Sequence, residues 1–138
     1  MINAQASTNE YSVLMAIWDA GRPLTAKEIV AAIPDKGFKD SAIHFILNGM
    51  LDKGLVYVDG TKLSSRIYSR CFNASVSFDE YHSNEIKTSA VYKKNRGLVL
   101  TGIVSRLMDD NIEADTLEKL EELIEEKKKR LNNDGDGI

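Results

Sequence analysis

The apolar positions of the chain change their period once and then change back. Over residues 8–20, Val13, Leu14, Ile17 and Trp18 recur at helical spacing, Ser7 precedes them, Glu10 stands three residues after Ser7, and Gly21 follows. A serine answered by a glutamate three residues on forms a reciprocal N-terminal cap, and glycine is a natural stop. The pattern therefore predicts a helix over about 8–20. The device repeats. Thr25 and Glu28 open a second helix carrying Ile29, Val30 and Ile33; Leu24 is placed to pack back on its first turn, and Pro34 ends it at Ile33. In "FKDSAIHFILNGMLDKG" a third stripe follows, made by Ile43, Ile46, Leu47, Met50 and Leu51. Asp40 or Ser41 is its expected cap, and Lys53 with Gly54 its expected close.

After Gly54 the period drops to two. "LVYVDGTKLSSRIYSRCF" predicts a strand over 55–59, a polar tip over 60–65 and a second strand over 66–72. Three short helices followed by a hairpin is the winged-helix layout, a variant of the helix-turn-helix. The helical period then returns. Ser77 with Glu80 repeats the cap, and the long pattern after it is expected to break near Gly97. A last amphipathic helix carries Leu117, Leu120, Ile124 and Leu131, with Glu125–Lys129 and Glu126–Arg130 as pairs four apart. The expected fold is mainly α with a small β-hairpin. A winged helix-turn-helix DNA-binding domain spans 1–74, helices over 75–132 form a dimerisation region, and 133–138 is a disordered tail.

Charge alters this picture only by its distribution. The net charge of −3 divides into +1 over residues 1–72 and −4 over 73–138. Affinity for DNA rests on local cationic patches that displace counterions, so the sum does not exclude a DNA binder; it predicts weak non-specific binding. No apolar run approaches the roughly eighteen residues of a membrane span, no secretory leader is expected, and a single cysteine, Cys71, fits a reducing, cytoplasmic setting. Cys71 itself reads as a small buried apolar group. Catalysis finds no foothold: with two histidines and no glycine-rich phosphate loop after a strand, no nucleophile–base set follows from the spacing. Asp79, His82 and Glu85 lie three apart, yet read as a solvated helix face, and the terminal "DGDG" lacks the remaining ligands of a calcium loop. No cofactor and no metal is expected.

The third helix carries the functional expectation. With its stripe turned inward, Ser41, Ala42, His44, Phe45, Asn48, Gly49 and Asp52 face outward. Ser41, His44 and Asn48 can hydrogen-bond base edges or phosphates, asparagine being matched to adenine, and Ala42 and Phe45 can touch thymine methyls. Phe45 can equally cover the edge of the core. Lys36 and Lys39 can bind phosphate, and Lys62 and Arg66 in the wing can reach the DNA backbone or a minor groove. Asp52 stands at the end remote from the groove. Gly49 costs about 1 kcal/mol of helix stability relative to alanine and reads either as a point of close approach or as drift. Two function classes remain: a transcriptional regulator binding double-stranded DNA, and a winged-helix protein-interaction module. In the second half, Leu100, Ile103, Val104 and Leu107, then Leu117, Leu120 and Ile124, have little to bury them within one chain. They predict a homodimer, which would set two reading helices about one DNA turn, roughly 34 Å, apart.

"SVLMAIWDAGRPLTAKEIVAAI", "DSAIHFILNGMLDKGLV" and the wing with Arg66 and Tyr68, running on to "VSFDEY", together resemble the penicillinase repressor family. The likeness spans Tyr11 to Tyr81 and continues more loosely to the end. It implies a homodimeric winged-helix repressor on a palindromic operator, released by an inducer or a sensor protease. There are departures. Where the family carries threonine, arginine and lysine in the third helix, this chain has Ala42, Gly49 and Asp52. The cysteine pairs of its copper-responsive branch and the Asn-Phe cleavage bond of its beta-lactamase branch are both missing from the sequence.

Overall fold

A computed structural model of the chain describes residues 5–136. Its contacts divide into two compact units that meet in sequence at Thr88 and Ser89. The first unit holds α1 (Thr8–Ala20), β1 (Leu24–Thr25), α2 (Ala26–Ala32), a single 3-10 turn (Asp40–Ala42), α3 (Ile43–Lys53), β2 (Val56–Ser64), β3 (Ile67–Ala74) and α4 (Phe78–Thr88). The second holds α5 (Ala90–Lys94), α6 (Arg96–Leu107) and α7 (Ala114–Asp136).

The caps of α1 and α2 form as the spacing predicts. Ser7 and Glu10 exchange side-chain and backbone bonds, as do Thr25 and Glu28, and Gly21 closes α1 in the left-handed conformation at φ 66°. The stripes of α1, α2 and α3 meet in one core, where Leu14, Ile29, Leu47 and Met50 are fully enclosed with Leu55 and Phe72. The cap of α3 differs from expectation. Neither Asp40 nor Ser41 caps it; both lie in the 3-10 turn that winds directly into the helix, and Lys39 precedes that turn without a side-chain bond. Gly54 ends α3 at φ 76°.

The hairpin is longer than its sequence suggested. β2 and β3 pair antiparallel out to Ser64 and Ile67, so the tip is the two-residue turn Ser65–Arg66 and not 60–65. Both turn residues have positive φ, 49° and 75°, the hand that matches the twist of a two-residue hairpin. The polar stretch around Gly60 is instead a bulge: Val58 pairs with Phe72 and Thr61 with Arg70, leaving Asp59 and Gly60 opposite Cys71. Gly60 takes φ 83° there, which a side chain would resist. A third strand escaped the pattern: β1 pairs with β3 through Leu24–Phe72 and Thr25–Cys71, giving the order β1-β3-β2. Cys71 is buried in it.

The first unit runs past residue 74 to Thr88, and α4 packs on its core. Tyr81 is buried, and its hydroxyl accepts the Ala6 N–H at 3.1 Å. The Trp18 indole N–H donates to the Val76 carbonyl at 2.9 Å, with its ring 5.5 Å from Phe78 and 5.7 Å from Tyr81. His82 joins this cluster: its Nε2 lies 2.7 Å from the Tyr11 hydroxyl and its Nδ1 2.7 Å from the Phe78 carbonyl. A carbonyl can only accept, so neutral His82 carries its proton on Nδ1 and accepts from Tyr11.

In the second unit the long helical pattern breaks at Ser89, whose hydroxyl caps α5 by accepting the Tyr92 N–H, and again at Asn95. Gly97, the expected break, lies within α6. On α7, Arg130 pairs with Glu126 at 2.6 Å as expected, whereas Glu125 pairs with Lys128, three residues away, rather than with Lys129. The last helix continues through 133–136, where a disordered tail was expected, and no proline or glycine stands in it from residue 114 to 134; residues 137 and 138 lie outside the described residues. None of the described residues of this unit is buried.

Candidate nucleic-acid interface

The inward stripe of α3 fixes what the same helix shows to solvent. Ser41, His44, Phe45 and Asn48 are all exposed, and Ala42 is half-covered. Phe45 is 82% exposed, so it does not cover the edge of the core within this chain. Gly49 is half-buried against α1, where an added Cβ would meet Glu10 Oε2 at 3.6 Å, an ordinary contact. Packing within the chain therefore does not require glycine. Asp52 is exposed on the last turn and lines one hollow with Glu10.

Ion pairs sort the cations around this face into neutralised and free. Lys62, expected to meet DNA, is held by Glu28. The Glu28 Oε2 accepts from Lys62 and from Arg22, each at 3.0 Å, while Oε1 accepts the Thr25 N–H at 3.0 Å. The Thr25 N–H first, then Arg22, then Lys62, hold this carboxyl down to about 2, against the opposing effect of burial. Lys36 is likewise committed and not a free phosphate ligand. It pairs with Asp40 at 3.0 Å, and its ammonium donates to the Val30 and Ile33 carbonyls at the end of α2, at 3.4 and 3.3 Å. Lys53 meets Glu10 at 2.6 Å. Burial opposes the charge on Glu10, but Lys53 and the Ser7 N–H and hydroxyl outweigh it and keep that carboxyl below its ordinary range.

Lys27, Lys39, Arg66 and Arg70 have no ion pair among the described residues. Lys39 stands where the chain turns into α3, Arg66 at the tip of the hairpin, and Lys27 and Arg70 beside His44. Lys39, Ser41, His44, Phe45, Asn48 and Arg66 are thus exposed as the sequence suggested, while Lys62 is exposed but neutralised. Lys27 and Arg70, not singled out from the sequence, lie beside His44 with Tyr68, which the sequence marked only for the family likeness and which is 70% exposed. The alternation along β3 places Tyr68, Arg70 and Phe72 on one face, a signal that becomes usable only once the hairpin register is known. The surface can offer hydrogen bonds and an aromatic ring from α3, flanked by cations that are not internally compensated.

A model of the penicillinase repressor family matches residues 6–126, covering the winged-helix unit and continuing into α7. A comparison with curated proteins finds no match. The matched family is one of DNA-binding transcriptional repressors, generally without enzymatic activity. With the winged-helix order of elements and a match over most of its length, the chain belongs to the penicillinase repressor family.

Proposed function

We propose that the chain is a sequence-specific transcriptional repressor that binds a palindromic operator in double-stranded DNA as a homodimer in the cytoplasm. One observation carries this reading: the outward face of α3 presents Ser41, His44, Phe45 and Asn48 to solvent, while Lys39 at the entry to α3 and Arg66 at the hairpin tip are free of ion pairs among the described residues. Phosphate contacts would set the register, and α3 would read base edges. Lys27 and Arg70 extend the cationic rim. No helix among the described residues is long and apolar enough to cross a membrane.

The second unit would supply the dimer contact. Leu100, Leu107 and Ile124 are more than half exposed, and Val104 is exposed beside half-covered Ile103, Leu117 and Leu120. Apolar surface left in water at this density is stabilised by a second copy in a two-fold arrangement. The rival reading, a winged helix that contacts protein instead of DNA, draws on Phe45 and on the carboxylates of Glu10 and Asp52 flanking the later turns of α3. Gel shift against the chain's own upstream region separates the two. The repressor reading expects a shift at low salt that weakens steeply as salt rises. No shift at any salt favours the rival.

A further inference from the structure

Between α2, α3 and the wing lies a hollow of about 340 Å³ lined by Lys27, His44, Tyr68, Ser69, Arg70 and Phe72 among others, with no acidic residue. Its neighbours differ: the hollow on the opposite face of the wing includes Glu28, and the one along the later turns of α3 includes Glu10 and Asp52. This is therefore a place on the reading surface where cations from two elements meet a helix residue without a carboxylate among them. Arg70 is steadied there by an aromatic ring. Its guanidinium carbon lies 5.2 Å from the centre of the Phe72 ring, and Phe72 is itself locked in the core. Stacking on a fixed ring restricts the side chain while leaving its N–H groups uncommitted, which lowers the ordering cost of binding an anion.

The geometry points to this hollow as the seat of one backbone phosphate of duplex DNA, with Arg70 as its principal ligand and Lys27 and His44 beside it. The guanidinium fork matches two phosphate oxygens, which a lysine ammonium cannot do. His44 lines the hollow from the first turn of α3, so a phosphate held here would fix how far that helix enters the groove. Arg70 then sets register and affinity and does not read sequence. This inference rests on the DNA-binding reading above.

The test is fluorescence anisotropy of the full chain with an operator duplex and an unrelated duplex across a salt series. Arg70→Gln is expected to weaken both duplexes alike, by roughly tenfold, and to flatten the slope of log affinity against log salt by about 0.9, the loss of one phosphate contact. Lys87→Gln, which removes the same charge from α4, is expected to leave both unchanged. Arg70→Lys keeps the charge without the fork; it should weaken binding severalfold with little change of slope, and carries the test if Arg70→Gln does not fold. Wild-type affinity for both arginine variants, alongside weakened operator binding by Asn48→Ala, would overturn the phosphate seat and leave the DNA-binding reading standing. A loss confined to the operator would overturn it too, in favour of a base contact. Failure of the unaltered chain to bind any duplex removes both.

Discussion

Asn48 and Gly49 are neighbours in sequence, yet their substitutions should report opposite things. Asn48 is exposed on the outward face of α3, with no side-chain hydrogen bond to another described residue, so Asn48→Ala should leave stability nearly unchanged. Its expected cost is about 1–3 kcal/mol on the specific site, with preference relaxed there; equal losses on specific and random DNA would remove it from the reading role. Gly49→Ala should stabilise the fold by up to about 1 kcal/mol in denaturant unfolding, because helix propensity is gained and the new methyl meets only an ordinary contact at Glu10. An accompanying loss of DNA affinity would show that glycine is there for close approach; unchanged affinity would show that it is not. Glu28 ties stability to acid. Its carboxyl is lowered from 4.5 to about 2, so its stabilising effect is complete above about 4.5 and is lost as pH falls toward 2. Glu28→Gln should flatten acid unfolding across that window. At neutral pH it should also free Lys62 and Arg22, raising non-specific DNA affinity and steepening its salt dependence.

At the level of elements, the wing makes the clearest prediction. Lys62 and Arg66 look equivalent in sequence, as two cations near the hairpin tip. The fold separates them, since Lys62 is paired with Glu28 and Arg66 is free at the turn. Arg66→Ala should therefore weaken binding to all sequences more than Lys62→Ala, and the reverse order in a filter-binding or anisotropy series would contradict this charge map. The wing also shows what the sequence could and could not reveal. α1 and α2 were legible because Ser7–Glu10 and Thr25–Glu28 are local signals, complete within four residues. The hairpin register was not, because the polar run from Gly60 to Ser65 is turn-like in composition while pairing across to β3 decides its structure. β1 is two residues long and exists only through its partner on β3. The packing of α4 was hidden for the same reason: Phe78, Tyr81 and His82 meet Tyr11 and Trp18 across some sixty to seventy residues of chain. Of the candidate site, the outward face of α3 followed from its stripe, whereas the pairing that silences Lys36 and Lys62 and leaves Arg70 free is tertiary.

For the whole molecule, the proposed repressor is a pair of chains. The first unit encloses a core; the second, among its described residues, encloses none. Leu120→Asp with Ile124→Asp would place two unpartnered charges on the surface proposed to be shared and should convert the dimer to monomer in sedimentation velocity. A double variant that remains dimeric would put the interface elsewhere. In the proposed repressor the two units act together: two chains, held by their C-terminal helices, would read one palindrome. The decisive measurement is to map the chain's bound sites, then titrate the recovered duplex and its isolated half-site and read mass and affinity by sedimentation. Two chains on the full palindrome and much weaker binding to the half-site are expected. One chain per duplex, or equal affinity for the full and half sites, would contradict this reading.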